Sequence, residues 1–374
     1  MKFIQQKPAI LVLEDGTVFK GYSVGYSGTT FGEICFNTSM TGYQEIFTDP
    51  SYFGQILTMT TAHIGNYGVF NQETESDTVK ISGLVCNSIS DTYYSRPQGE
   101  KNLHNYLDEN KVVGIKGVDV RALVRYIRSK GAMNAAISSE ILDEQKLISR
   151  IHKEAPKMEG LELASKVSTE KPYFFGNPDS PIKIAVIDLG VKTNILRCLA
   201  NEGEGAYLKI FPWNASYEEI MEWNPHGIML SNGPGDPAPL TETIATVKKI
   251  INQGIPTFGI CLGHQIIALA SGLTTHKMHH GHRGVNHPIL NLNTGTCEVT
   301  SQNHGFVVSS DTSSAAYDID VTHTHLNDRS IAGLRINDQN TFSVQYHPES
   351  SAGPNDSRYL FKEFIEEIKK YNHI

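Results

Sequence analysis

The segment from Pro256 to Leu269 constrains the fold of this chain more than any other. An apolar run ends at Cys261, and helical spacing begins near Gly263 and continues to Leu269. Glycines stand two positions before and two positions after the cysteine, in the order Gly-Ile-Cys-Leu-Gly. A sharp strand-to-helix turn requires small flanking residues, because its backbone is crowded. The pattern therefore predicts a nucleophile elbow, with Cys261 at the end of a strand and the start of a helix.

This position has chemical consequences for Cys261. A helix N-terminus favours negative charge and so favours the thiolate, the reactive form of cysteine. The backbone N–H of the next residue, Leu262, can donate to an oxyanion. The alternative interpretation is a buried and inert cysteine, which is common in protein cores.

The sequence around the elbow alternates between apolar runs and helical spacing. This alternation predicts βαβ units and a mostly parallel sheet covered by helices, with ligand sites at the carboxyl ends of the strands. The predicted strands are 183–188, 207–211, 227–230 and 256–260, and the predicted helices are 193–200 and 240–252.

The preceding part of the chain is predicted to be a β-rich α/β domain. Asp15-Gly16 separates two apolar runs and indicates a hairpin. A helix is predicted from Asp119, its capping residue, to Ile127, with Gly131 just beyond its end. Further short strands are expected at 33–37, 55–60 and 83–86. The predicted division is an N-terminal domain at 1–165, a linker rich in turn-forming residues at 166–182, and a second domain at 183–374.

Composition narrows the functional classes. The formal net charge of the 374 residues is −8 without a long basic run, which disfavours nucleic-acid binding. No apolar run is long enough to cross a bilayer, and Met1 to Pro8 lack a signal-peptide pattern. The five cysteines are scattered and form no Cys-x-x-Cys pair. We therefore expect a cytoplasmic, reduced protein without structural zinc.

A second motif, His347-Pro348-Glu349, follows a strand-like run near the C-terminus. Pro348 ends the strand, and Glu349 is placed to hold the imidazole of His347, as the third member of a catalytic triad does. A loop histidine beside a solvated glutamate is the alternative. We predict that Cys261, His347 and Glu349 form a catalytic triad.

Together these motifs resemble the class I glutamine amidotransferases. The loop Ser231-Asn232-Gly233-Pro234-Gly235-Asp236-Pro237 is similar to the segment that completes the oxyanion hole in that family. Segments of the N-terminal half, such as 37–45, 48–52, 62–68 and 119–123, resemble the small subunit of carbamoyl phosphate synthetase, as do 281–288 and 301–306. The resemblance covers nearly the whole chain.

The resemblance implies a substrate, a set of contacts and a partner. The substrate is L-glutamine, which is cleaved to glutamate and ammonia. The large subunit uses the ammonia, with bicarbonate and ATP, to make carbamoyl phosphate for arginine or pyrimidine biosynthesis. The glutamine contacts implied are Ser51, from the N-terminal domain, and Gly233, Gly235, Leu262, Gln265, Asn303, Gly305 and Phe306.

We expect no cofactor in this chain, since the sequence has no phosphate-binding P-loop. The resemblance implies that ATP and Mg bind to the large subunit. It also implies that the chain forms a heterodimer, or a higher assembly of heterodimers, with that subunit. Five histidines at 276, 279, 280, 282 and 287 raise the possibility of a metal, but the segment is interpreted as a loop, and no metal is expected. Two alternative functions are considered for the same motifs. In these alternatives, the chain is either an amidotransferase subunit of another synthase or a stand-alone Cys–His γ-glutamyl hydrolase. A non-catalytic regulatory subunit is disfavoured by the intact triad.

Overall fold

The computed structural model describes residues 6–201 and 205–374, which form two compact units divided between Met158 and Glu159. Met1 to Gln5, part of the segment used for the signal-peptide prediction, lie outside the described residues. No helix among the described residues has the length and apolar character that crossing a membrane requires.

The first unit contains a closed β-barrel. Its strands are β1 Pro8–Leu13, β2 Val18–Gly25, β3 Thr29–Asn37, β4 Ile56–Met59, β5 Gly83–Val85, β6 Val113–Lys116 and β7 Met133–Ser138. The order around the barrel is β1-β2-β6-β5-β4-β3-β7, and β7 pairs with β1. The predicted hairpin joins β1 to β2, and its Gly16 adopts a φ of 89°, a region that favours glycine.

From residue 6 onward, four α-helices accompany the barrel: α1 Tyr43–Thr48, α2 Leu103–Glu109, α3 Val120–Lys130 and α4 Glu144–Glu154. Helix α3 is the predicted one. The Asp119 carboxylate accepts a hydrogen bond from the N–H of Ala122 at 2.9 Å, and Gly131 ends the helix. Leu123 and Ile127 are buried, as the spacing of apolar residues predicts.

The second unit is built on a ten-stranded mixed sheet. Its strands are β8 Tyr173–Phe175, β9 Lys183–Asp188, β10 Tyr207–Pro212, β11 Gly227–Leu230, β12 Thr257–Ile260, β13 Thr275–Asn291, β14 Cys297–Val308, β15 Ile319–His325, β16 Ile331–Ile336 and β17 Thr341–Val344. The order is β14-β13-β15-β16-β17-β12-β11-β9-β10-β8. Five adjacent strands, β17-β12-β11-β9-β10, are parallel, and the others pair antiparallel.

Helices cover both faces of the parallel part. They are α5 Thr193–Asn201, α6 Tyr217–Glu222, α7 Thr241–Asn252, α8 Leu262–Ala270 and α9 Tyr359–Asn372. Alternate residues of β9 enter different cores: Ile184 packs with α5 and α9, whereas Ala185 packs with α6, α7 and α8. Burial on both faces of the sheet explains why the sequences of the parallel strands are continuous apolar runs.

Two parts of the second unit differ from the sequence prediction. The histidine-rich segment is not a loop: it lies in β13, which pairs with β14 and β15. Its polar and glycine-rich composition hid the strand, because many of its side chains are only partly buried. The range 166–182, predicted as a linker, contains β8 at the edge of the sheet.

The segment just before that range also belongs to the second unit. The N–H of Asp236 donates to the carbonyl of Leu161 at 3.0 Å, and the Asp236 carboxylate accepts from the N–H of Gly160 at 2.8 Å. The structural division after Met158 is therefore earlier than the predicted end of the first domain at residue 165.

Candidate active site

Cys261 lies at the turn between β12 and α8, as predicted. Its backbone has φ 55° and ψ −101°, a conformation that residues with a side chain rarely adopt. The side chain is buried, and its Sγ lies 3.6 Å from the carbonyl oxygen of Asn303. The strained turn fixes the thiol at the carboxyl end of a central strand.

The two glycines of the elbow are needed for close packing. A Cβ on Gly259 would lie 2.6 Å from Cδ1 of Ile267, and a Cβ on Gly263 would overlap the carbonyl oxygen of Leu230. The N–H of Gly263 also donates to the carbonyl of Ser231 at 3.0 Å. Helix α8 can therefore begin directly against β11 and β12 only because both positions lack a side chain.

The neighbouring parallel strand β17 leads to His347. Ile260 of β12 is in register with Val344 of β17, and the N–H of Cys261 donates to the carbonyl of Val344 at 2.9 Å. His347 follows three residues later, and its N–H donates to the carbonyl of Ser301 in β14 at 2.9 Å. Nucleophile and candidate base thus come from adjacent strand ends, although they are far apart in sequence.

His347 and Glu349 form a buried pair. Nδ1 of His347 lies 2.7 Å from Oε1 of Glu349, and both side chains are almost fully excluded from solvent. The carboxylate accepts a hydrogen bond from a protonated Nδ1, which leaves Nε2 as the other reactive position of the ring. The geometry is that of a histidine oriented by a carboxylate.

Lys192 adds a cation that the sequence did not single out. Its Nζ lies 2.9 Å from Oε1 of Glu349 and donates to the carbonyl of Ser350 at 2.5 Å. Its side chain is 3% exposed, so the pair is buried. Lys192 follows the end of β9, at the edge of the sheet where Cys261 and His347 also lie. Its position just after a predicted strand was the sequence signal that could have identified it. A lone lysine in an apolar context gives no periodic pattern, so it was missed.

These contacts favour the ionised forms of both partners. Burial opposes charge, but Lys192 and then His347 lower the pKa of Glu349 to about 2. Burial likewise opposes the imidazolium, but the carboxylate of Glu349, and then the Cys261 thiol, raise the pKa of His347 to about 10. His347 and Glu349 therefore form a buried ion pair.

The loop after β11 lies against the elbow. A Cβ on Gly233 would lie 2.8 Å from Cδ2 of Leu262 and would overlap the carbonyl oxygen of Leu189. Leu262 is the first residue of α8, where a helix has no carbonyl one turn earlier to receive its N–H. The two residues predicted to form the oxyanion hole are therefore neighbours.

Several residues expected to contact glutamine lie around Cys261. Nε2 of Gln265 donates to the carbonyl of Phe306 at 2.9 Å and to Oε1 of Gln345 at 3.0 Å. Asn303 contacts the thiol through its carbonyl, as described above, and Gly305 and Phe306 continue the same strand, β14. The structure thus brings Leu262, Gln265, Asn303 and Phe306 to one region, while their contacts with glutamine remain a prediction.

Two other predicted residues have different surroundings. Gly235 adopts a φ of 88° and forms an isolated bridge with Glu162. Ser51 lies in the first unit, in a 3-10 helix at Pro50–Tyr52, where its N–H donates to the Asp49 carboxylate at 2.9 Å. That contact is typical of a turn serine, and a role for Ser51 in glutamine binding remains a prediction.

A further buried histidine, His264, stands on α8 three residues after the nucleophile. Its Nδ1 lies 2.9 Å from the hydroxyl of Ser343 in β17. Burial lowers the pKa of His264 to about 3, so the ring is neutral. This contact ties the elbow helix to the strand that leads to His347. The sequence contains His264 within the elbow motif but gives no sign of its partner.

The chain matches two family models and a large set of similar proteins. Residues 185–367 match "Glutamine amidotransferase class-I", and residues 11–137 match "Carbamoyl-phosphate synthase small chain, CPSase domain". A solved structure of a protein from Thermotoga maritima, described as PurLQS, is 15% identical, with a TM-score of 0.38, over 51% of this chain and 99% of that chain.

Several curated relatives carry the description "Carbamoyl phosphate synthase small chain". The protein from Synechococcus sp. is 45% identical and covers 98% of this chain and 94% of its own length. The relative from Chlorobaculum tepidum is 44% identical, and the match covers 98% of this chain and 99% of the relative. The relative from Thermotoga maritima is 43% identical, and the match covers 97% of this chain and 99% of the relative. Identity at this level over both units shows that the chain belongs to the carbamoyl phosphate synthase small chain family and is the glutamine amidotransferase subunit of such a synthase.

Proposed function

We propose that this chain hydrolyses L-glutamine with a Cys261–His347–Glu349 triad and supplies the ammonia to a carbamoyl phosphate synthase large subunit. The observation that carries the proposal is the meeting of two strand ends. Cys261 follows β12, and the buried His347–Glu349 pair follows β17, its parallel neighbour. This is the arrangement of nucleophile, base and orienting carboxylate that covalent catalysis uses.

The first half of the reaction forms a thioester. The Cys261 thiolate attacks the side-chain amide carbon of glutamine, and the carbonyl oxygen becomes an oxyanion. The N–H groups of Leu262 and Gly233 donate to that oxyanion. The C–N bond then breaks while the imidazolium of His347 gives a proton to the departing nitrogen, which leaves as ammonia. The γ-glutamyl group remains on sulfur.

The second half restores the enzyme. Neutral His347 accepts a proton from water as the water oxygen attacks the thioester carbon. The C–S bond breaks, the new γ-carboxyl group gives its proton to solvent, and glutamate leaves. The Cys261 thiolate again faces the imidazolium. Throughout, Glu349 holds the ring through Nδ1 and stabilises its charge.

Synthesis of carbamoyl phosphate requires ATP and bicarbonate, and we propose that the large subunit holds both, with Mg. The relatives are described as small chains, which supports a large partner for this chain. Ammonia becomes protonated in water and then is not a nucleophile, so its transfer between subunits needs a sheltered route. The first unit, which matches the small-chain model, is the proposed docking element.

The nucleophile is tested by glutamate release from glutamine with Cys261→Ser, alone and with a large subunit. Cys297→Ser is the matched control, because Cys297 is an exposed cysteine at the start of β14 and is not part of the elbow. We expect Cys261→Ser to lose nearly all activity and Cys297→Ser to keep it. Equal activity of the two variants would refute the nucleophile assignment.

Two further measurements separate the partner and the substrate contacts. The large subunit should stimulate Cys261-dependent hydrolysis and make carbamoyl phosphate from glutamine; no response would indicate a stand-alone γ-glutamyl hydrolase. Ser51→Ala should raise KM for glutamine more than it lowers kcat. An unchanged KM would remove Ser51 from the proposed glutamine site.

A further inference from the structure

A cluster of imidazoles and a carboxylate lies outside the proposed triad. His282 is in β13, His325 ends β15, and Asp328 is in the turn before β16. One possible ligand atom from each of the three residues lies within 4.8 Å of the others. Nε2 of His282 is 2.8 Å from Oδ2 of Asp328, and Nδ1 of His325 is 3.5 Å from Oδ1 of the same carboxylate.

Neighbouring groups hold these side chains in place. The two imidazoles stack with their centroids 4.1 Å apart, and each places a nitrogen beside the carboxylate. Nε2 of His325 lies 3.0 Å from Nδ1 of His287, and the Asp328 carboxylate accepts hydrogen bonds from the N–H and hydroxyl of Ser330 at 3.1 and 2.8 Å. Partners behind the ligands are a regular feature of metal sites, because they fix ring orientation and tautomer.

The third side of the cluster is open. His282 and Asp328 line a cavity of about 530 Å³, and the Asp328 side chain is 41% exposed, whereas His325 is almost fully buried. Two buried nitrogen ligands, one carboxylate oxygen and an open side make a three-ligand set with room for water or a further ligand. That set is typical of zinc sites with an exchangeable position.

We propose that His282, His325 and Asp328 bind a divalent transition-metal ion, with zinc as the ion to test. His325 would coordinate through Nδ1, since its Nε2 faces His287. To do so, Nδ1 would exchange the hydrogen bond that it accepts from the N–H of Asn327 at 3.2 Å for the ion. His282 would coordinate through Nε2. The ion would replace the direct contact between His282 and Asp328 and would join β13 to the β15–β16 turn. The site is separate from the proposed triad, so either proposal can fail without the other.

The test is isothermal titration of Zn²⁺ into tag-free, chelator-treated protein. Cys261→Ser and Cys297→Ser are both present in the parent, so that the buried active-site thiol and the exposed thiol cannot take the ion. We expect one Zn²⁺ per chain. Asp328→Asn keeps the shape of the side chain, and His325→Gln keeps a polar group; each should weaken binding by more than about tenfold, because even partners behind ligands contribute that much.

His276→Ala is the matched control. His276 lines the same cavity, but it is not one of the three ligands. Its substitution should leave the affinity unchanged. If His276→Ala weakens binding as much as Asp328→Asn, or if both ligand variants bind like the parent, the proposed site is wrong. Absence of stoichiometric binding overturns it as well.

X-ray absorption of the zinc-loaded parent gives a test that needs no ligand variant and so does not depend on how those variants fold. We expect a first shell of nitrogen and oxygen with the scattering pattern of two imidazoles. Sulfur in the shell, or a pattern with a single imidazole, would place the ion elsewhere and refute the assignment.

Discussion

Glu349 is a buried carboxylate with two cationic neighbours, and its environment determines how the candidate site is charged. Lys192 and His347 both contact Oε1, and all three side chains are shielded from water. Removing one charge from such a group leaves the others uncompensated in a medium that stabilises charge poorly. The three residues therefore act as one electrostatic unit.

Glu349→Gln should lower the pKa of His347, because the carboxylate is the leading contribution that raises it. The variant keeps the size of the side chain but removes its charge. Glutaminase activity should fall by more than about tenfold, towards the roughly 10⁴-fold loss seen when the equivalent carboxylate of a serine protease is replaced by its amide. Imidazole NMR signals followed against pH give the pKa directly. An unchanged His347 pKa would contradict the assigned cause.

The same pair predicts a pH dependence of stability. Since the folded-state pKa of His347 is raised from 6.5 to about 10, its contribution is complete below about pH 6.5 and is lost as the pH rises towards 10. The lowered pKa of Glu349 has the opposite sense: its contribution is present above pH 4.5 and is lost as the pH falls towards 2. The difference in unfolding free energy between the parent and Glu349→Gln should therefore shrink above pH 6.5. A constant difference from pH 6.5 to 10 would refute the linkage.

Lys192→Met should destabilise the folded chain by about 3–5 kcal/mol, the cost of leaving a buried charge without its partner. Chemical unfolding measures this change. Lys249→Met is the control, since Lys249 pairs with Glu218 at 2.9 Å while both side chains are more than half exposed. Solvent screens an exposed pair of this kind, so its loss should change the free energy of unfolding little. Equal losses of unfolding free energy for the two variants would show that burial of the Lys192–Glu349 pair does not increase its contribution to stability.

At the scale of elements, the pairing of β12 with β17 aligns the two halves of the candidate site. Phe258 and Phe342 are register partners on these strands, and their rings stack with centroids 4.4 Å apart. Phe361 and Phe364 of α9 pack on the same ring, Phe258. The aromatic cluster therefore fixes the register that places Cys261 beside the strand of His347.

Phe342→Ala should lower the free energy of unfolding by about 3–5 kcal/mol, as expected for a large side chain removed from a packed core. Activity should fall further than the folded fraction does, because the strand ends lose their alignment. Tyr93→Ala is the control, since Tyr93 is 84% exposed. Its effect should stay within about 0.5 kcal/mol. A variant Phe342→Ala that is stable and fully active would contradict a role for the cluster in alignment.

Helices and strands whose apolar residues follow a clear pattern were predicted from the sequence, and elements without such a pattern were not. The elbow, the parallel strands and α3 are indicated by apolar runs, paired glycines and the Asp119 cap. Strand β13 carries histidines and glycines in place of an apolar period, so it was interpreted as a loop. Lys192 and the pair of His282 with Asp328 depend on contacts between distant parts of the chain, which no local pattern records.

At the scale of the whole molecule, the chain is divided into a barrel unit and a sheet unit, and each has its own hydrophobic clusters. The residues of the proposed triad all belong to the sheet unit. The second unit alone therefore contains the groups proposed for thioester chemistry, while Ser51 and the proposed docking role belong to the first. The two match different family models, which agrees with this division.

Strand β17 is the last of the described strands in chain order, yet it occupies an interior position between β16 and β12. A growing polypeptide therefore presents Cys261 long before the neighbour that would complete its surroundings has been synthesised. Until residues 341–349 arrive, the sheet has a gap at its centre and the thiol has no histidine. If His347 is the base, as proposed, a chain that ends before residue 347 should not release ammonia from glutamine.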